Sequence, residues 1–286
     1  MSQINALEVT SKIGERMTQF ALDDNYVQSR ELQKALQCLF TSSPKTGGLC
    51  SDLWVEAAFP SKSHTETLGE IVKKGDFNEK LGRAIDASGE FPLSRFPYKH
   101  QAQSLLYSNE AYREAKKPSV VISAKTGAGK TESFLLPMLN DIYSNQPETD
   151  EGVSAIILYP MNALVNDQVD RLTSWLREQS LATFIHFTSE TPETVKVANS
   201  RGLRDLGPHT YRSRNHARGL EDRHGHKPDK PGTVPRILIT NYSMLEYMLC
   251  RPQDYPFFGK NLRTLVLDEA HLYTGNLAAE ISLLLQ

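Results

Sequence analysis

Ser123-Ala124-Lys125-Thr126-Gly127-Ala128-Gly129-Lys130-Thr131 is the stretch on which the fold turns. Ahead of it, Pro118-Ser119-Val120-Val121-Ile122 is a β-branched run behind a proline and reads as a buried strand. Behind it, Glu132 to Tyr143 reads as a helix. Strand, glycine turn and helix in that order are the setting of a phosphate loop. Gly127 and Gly129 let the backbone fold back and bring N–H groups close to polyphosphate oxygens, while the helix that follows presents its positive end. Lys130 is positioned to reach the β and γ phosphates, and the Thr131 hydroxyl to ligate Mg²⁺. Lys125, Thr126 and Ala128 complete the cradle. Ala124 stands where the strictest pattern has its first glycine, and it can make that turn with a negative φ.

The chain has 286 residues, 39% of them hydrophobic, enough for a sizeable core in one large domain or two small ones. A formal net charge of −2 carries no global basic signal, so any nucleic-acid surface must be local. No apolar run approaches the length of a membrane span and Met1-Ser2-Gln3-Ile4-Asn5 is unlike a signal peptide, so a cytoplasmic protein is expected. Cys38, Cys50 and Cys250 are widely spaced and read as small buried apolar residues.

Residues 1–50 read as a helical extension: Ile4, Leu7, Ile13, Met17 and Phe20, then Leu32, Leu36 and Leu39, recur at helical spacing before Pro44 and Gly47-Gly48. Residues 51–95 read as a lead-in, with Trp54, Val55 and Phe59 apolar. In Phe96-Pro97-Tyr98-Lys99-His100-Gln101 an amide could match the donor and acceptor of adenine and Phe96 could stack on the base; on its own the segment reads sooner as a surface glutamine opening a helix beside ordinary core aromatics. Buried strands are then expected at Ser154–Tyr159, Ala182–Phe187, Arg236–Thr240 and Leu262–Leu267, with a helix between Pro160 and Leu176. Such alternation argues an α/β architecture with a mainly parallel sheet, whose ligands bind at the carboxyl ends of the strands.

Residues 189–235 break the pattern. Between Arg201 and Lys230 there are eight Lys or Arg against four Asp or Glu. The stretch reads as a long basic loop, either an arm on phosphate backbones or a solvated insertion. His209, His216, His224 and His226 lie in it without a cysteine or carboxylate framework for a metal.

The last strand delivers Asp268-Glu269-Ala270-His271. An apolar strand ending in adjacent carboxylates suits the second half of a phosphate-loop site, with Asp268 holding Mg²⁺ opposite Thr131 and Glu269 deprotonating an attacking water. Taken together, Ala124 to Thr131, Tyr159 to Gln168, Thr240 to Leu245 and Asp268 to His271 resemble motifs I, Ia, Ib and II of superfamily 2 helicases of the DEAD/DEAH class, in the correct order. The Gln101 segment resembles their adenine-reading motif. Thr-Asn-Tyr-Ser-Met-Leu and Leu-Asp-Glu-Ala-His-Leu-Tyr look most like large bacterial helicases related to MrfA and those of anti-phage defence systems such as Druantia and DISARM.

The resemblance spans about residues 96–286 and implies the first of two RecA-like domains, binding ATP and Mg²⁺ and driving translocation on nucleic acid, DNA rather than RNA. It implies that Pro160, Asn162 and Ala163, with Thr240 and Asn241, face the sugar-phosphate backbone, and that His271 couples the nucleotide site to the interdomain cleft. The second RecA-like domain, which supplies arginine fingers worth about 10³ to 10⁵ in rate, is not among these residues. The chain is therefore expected to be a fragment or one part of a split motor, to bind ATP with little turnover, and to leave a sheet edge uncovered. A non-catalytic module that binds nucleotide or nucleic acid and regulates a partner is the alternative.

Overall fold

A computed structural model describes residues 6–24, 29–49, 60–113, 119–125, 127–145, 152–160, 163–176, 182–203 and 205–284. The expected features at Trp54, Val55, Phe59, Cys50, Thr126 and Asn162 lie outside them. The chain divides into two compact units, residues 1–60 and 61–286.

In the first unit, α1 (Ala6–Asp24) packs on α2 (Arg30–Phe40). Ser29 caps α2 by accepting from the Leu32 N–H, which serves one of the donors a helix start leaves open. Cys38 is exposed on α2, and in the second unit Cys250 is exposed too, which corrects their reading as buried residues. Cys38 lies on a helix with no buried residue, and Cys250 caps the C-terminus of α10 (Tyr242–Leu249), where the chain leaves the core.

The second unit contains α3 (Leu68–Lys73), α4 (Glu79–Ser88), α5 (Lys99–Arg113), α6 (Lys130–Ser144), β1 (Ala155–Tyr159), α7 (Ala163–Leu176), β2 (Phe184–His186), α8 (Val195–Ser200), β3 (Thr210–Tyr211), α9 (Arg214–Ala217), β4 (Ile237–Asn241), α10 (Tyr242–Leu249), β5 (Thr264–Leu267) and α11 (Gly275–Leu284). Five strands form one sheet in the order β3-β2-β4-β1-β5, every pairing parallel. Alternate residues go to opposite faces: Ile157 and Ile239 meet Leu81, Leu135 and Leu172 on one side, while Ile156 and Leu238 meet Met248 and Phe257 on the other. Burial on both faces explains why β1 is apolar throughout instead of alternating. Residues 61–95 share the first of these cores through Leu68, Ile71, Phe77 and Phe91, so the lead-in is part of the domain.

Two expectations are corrected here. Ser119 to Ile122 belong to no strand, and Val121 is 94% exposed. A β-branched run favours extension, yet a strand exists only where a neighbour pairs with it. On the β5 side the sheet among the described residues ends at β5 itself, whose Leu265 and Leu267 are 41% and 37% exposed. The stretch 189–235 is also no bare loop, since it holds α8, β3 and α9 and adds the outermost strand of the sheet. Some of its charges are taken up by carboxylates. Arg218, its side chain 3% exposed, donates to the fully buried Asp254 (Nε to Oδ1, 2.8 Å), and Arg223 bonds Asp205. Among its histidines, His216 lies against Tyr211 with ring centres 4.4 Å apart, and His209 is buried.

Candidate functional site

The phosphate loop ends where α6 begins. Gly127 and Gly129 have φ of 76° and 73°, a left-handed backbone that disfavours a side chain. At Gly129 the restriction is also spatial: a Cβ there would stand 2.3 Å from Gln101 Nε2 and 2.9 Å from Glu132 Oε2. The Ala128 N–H donates to the Lys125 carbonyl at 3.0 Å and closes the turn. Helix α5 braces it from outside, with His100 Nε2 2.9 Å from the Ala128 carbonyl oxygen and Gln101 Nε2 donating to the Gly129 carbonyl at 3.0 Å.

Gln101 accepts from the Tyr98 N–H at 2.8 Å with its other end and is 1% exposed. In this structure its amide thus serves the loop and the start of α5, where the sequence suggested an adenine ring. The reason is proximity: a helix that packs along α6 carries its first-turn side chains onto the loop backbone before they can reach past it. Phe96, half exposed, remains open for stacking.

Strand β5 carries Asp268 and Glu269 to the same end of the sheet. The Asp268 N–H donates to the Leu158 carbonyl of β1 at 3.0 Å, and Asp268 Oδ1 accepts from the Glu269 N–H at 2.8 Å. Burial pushes the Asp268 carboxyl up; the neighbouring Glu269 charge adds to this, while the Glu269 N–H and the Lys130 ammonium oppose it. Glu269 has φ 47° and ψ 41°, the one non-glycine residue with positive φ among the described residues. Such a conformation costs about 1 kcal/mol or more and turns the side chain away from the strand direction. Its Oε2 lies 3.2 Å from His271 Nδ1, and His271 itself is exposed. Tyr159 and Tyr273 lie within reach of the Asp268 charge. Burial, then the Asp268 charge, pushes the Tyr273 phenol up to about 12 and raises that of Tyr159 as well.

The donor set fits a magnesium nucleotide. One hydroxyl (Thr131) and one carboxylate (Asp268) would suffice beside phosphate oxygens and water, so no cluster of protein carboxylates would be needed. Among the described residues no group of three His, Cys, Asp or Glu gathers for a metal.

Of the residues expected on a nucleic-acid backbone, Pro160 is half-buried at the end of β1 and Ala163 opens α7. Asn241 caps α10 by accepting from the Met244 N–H at 2.8 Å. Thr240 is a correction: it is fully buried and its Oγ1 donates to the Phe187 carbonyl at 2.7 Å, so it ties β4 to the end of β2 and presents no side chain outward. Sequence reasoning missed the ion pair from Arg171 Nη1 on α7 to Glu132 Oε1 on α6, 2.9 Å long. The partners are 39 residues apart, and only the fold brings them together.

Residues 99–286 match the family model of the DEAD/DEAH box helicase. The chain is similar to the Druantia protein DruE of Escherichia coli, 29% identical over 280 residues, covering 68% of this chain and 15% of that protein. It is likewise similar to an uncharacterised ATP-dependent helicase of Methanocaldococcus jannaschii, 29% identical over 199 residues, covering 69% of this chain and 23% of that one. It thus spans less than a quarter of the length of either relative. The crystal structure of the helicase MrfA bound to DNA shares the fold, with a TM-score of 0.51 at 20% identity over 79% of this chain and 25% of that one. No described helix is long and apolar enough to cross a membrane.

Proposed function

Because the chain belongs to the DEAD/DEAH box helicase family, we propose that it is the ATP-binding part of a DNA helicase or translocase, in which ATP hydrolysis drives movement along nucleic acid. The observation that carries this reading is the meeting of two motifs 138 positions apart, Lys130 at the start of α6 and Asp268 at the end of β5, close enough for the ammonium to act on the carboxyl. Lys130 would hold the terminal phosphates, with the Gly127 to Gly129 backbone and Lys125 around them. Thr131 and Asp268 would hold Mg²⁺, which neutralises phosphate charge when bound. Glu269, aimed by its turned backbone and steadied by His271, would orient and deprotonate water.

Pro160, Ala163 and Asn241 stand at the carboxyl ends of β1 and β4, the edge where ligands of parallel sheets bind, and would meet a DNA backbone there together with Asn162. A second RecA-like domain would complete the motor. We place the motor on cytoplasmic DNA, in phage defence or DNA repair, as the resemblance of its motifs implies; the similarity to the Druantia protein DruE agrees with that reading.

ATP turnover measured with and without single-stranded DNA, in this chain and in its Glu269→Gln variant, tests the reading. Binding of MgATP by this chain, with DNA-stimulated turnover that appears once a second RecA-like domain is supplied and vanishes in Glu269→Gln, supports it. A folded chain that binds no MgATP at all would sink it.

A further inference from the structure

Glu132 is the third residue of α6, so its carboxylate lies in the first turn, beside the loop in which a polyphosphate would sit. Its Oε2 is buried without a hydrogen-bond partner, and a Cβ on Gly129 would stand only 2.9 Å from it. A negative charge so close to the phosphate loop opposes a ligand of like sign, in a setting where screening by water is weak. Its Oε1 is held by Arg171 Nη1 at 2.9 Å, with the Glu132 side chain 16% exposed. Arg171 comes from α7, the helix that opens just after Pro160.

We propose that Arg171 is a positioning residue for the nucleotide, drawing the Glu132 carboxylate toward α7 and neutralising it so that the first turn of α6 accepts a polyphosphate. The inference rests on the nucleotide-site reading above. Without the guanidinium, the carboxylate is an uncompensated charge beside the loop, and the cost grows with the number of phosphates on the ligand. With Glu132 neutral as well, little is left to compensate.

The experiment is equilibrium binding of Mg²⁺ complexes of ATP and ADP, and of AMP, to the full chain and to Arg171→Met, Arg171→Lys, Glu132→Gln and the double variant Glu132→Gln/Arg171→Met. Thermal unfolding is followed in parallel, so that variants are compared only where folded. Arg171→Met should weaken ATP about tenfold, ADP less and AMP hardly at all. Arg171→Lys should keep most of the affinity, and the double variant should recover it. Equal losses for all three nucleotides, or no recovery in a folded double variant, would overturn the inference while leaving the nucleotide site standing. Failure of the unaltered chain to bind ATP would remove both.

Discussion

Ser104 on α5 donates its hydroxyl to the main-chain carbonyl of Ser133 on α6, 2.7 Å away, and both residues are buried. Ser133 is four residues before Pro137, which has no N–H to offer it. A side chain from the neighbouring helix thus fills the gap that proline leaves. Ser104→Ala should cost about 1–2 kcal/mol, since a buried carbonyl is then unserved. In a Pro137→Ala background the helix supplies its own N–H, so the same substitution should cost far less. Urea denaturation of the four proteins decides the matter; additive effects would mean that the hydroxyl does not replace the missing donor.

The hydrogen bond from Gln101 to Gly129 separates two roles for one side chain. If Gln101 reads adenine, Gln101→Ala should weaken ATP and leave GTP untouched. With its amide on the loop backbone and 1% of its surface exposed, the expected result is a parallel loss for both nucleotides, of about tenfold for a lost charge-aligning contact. Competition binding of ATP and GTP to the variant measures the ratio directly.

What the sequence disclosed and what it hid divide along one line. The ends of α6, the apolar run of β1 and the carboxylates closing β5 follow from local pattern, because propensity and periodicity act over a few neighbouring residues. Val121 went the other way, since extension is local but strand pairing is not. The resemblance alone sets Thr240 on a nucleic-acid backbone; its burial depends on Phe187, 53 positions earlier, arriving alongside. The basic stretch resembled a free arm because Asp254, which takes up Arg218, lies 36 residues beyond it. Of the candidate site, the residue types and their order were legible, whereas the Arg171–Glu132 and Gln101–Gly129 contacts belong to helix packing.

Asp268 exemplifies a functional group that costs stability. Its carboxyl is pushed up by burial, so the folded protein holds the proton more tightly than the unfolded chain does. Stability is therefore greatest when the group is protonated and falls as pH rises from about 4 through its raised value. Asp268→Asn removes that burden: the melting temperature at pH 7 should exceed that of the unaltered chain, and the difference should shrink as pH approaches 4. The dependence of ATP binding on Mg²⁺ should weaken in the same variant. An unchanged or lowered melting temperature at pH 7 would show that the carboxylate is better solvated than its surroundings suggest.

Arg218 and Asp254 hold the basic stretch against the domain. The guanidinium donates to Asp254 from Nε at 2.8 Å and lies over the Phe187 ring, with Arg251 Nε 3.6 Å from the other carboxylate oxygen. A buried pair is dear to break and of little net worth whole, because both charges have lost their water. Arg218→Met should therefore cost about 3–5 kcal/mol, leaving Asp254 buried with only the more distant arginine. Arg218→Met/Asp254→Leu should recover most of that loss, the apolar pair filling the space beside Phe187. Guanidinium unfolding, with proteolysis of residues 189–235 followed in parallel, measures both. A double variant as unstable as the single one would mean that the stretch is pinned by shape at Phe187 and not by charge.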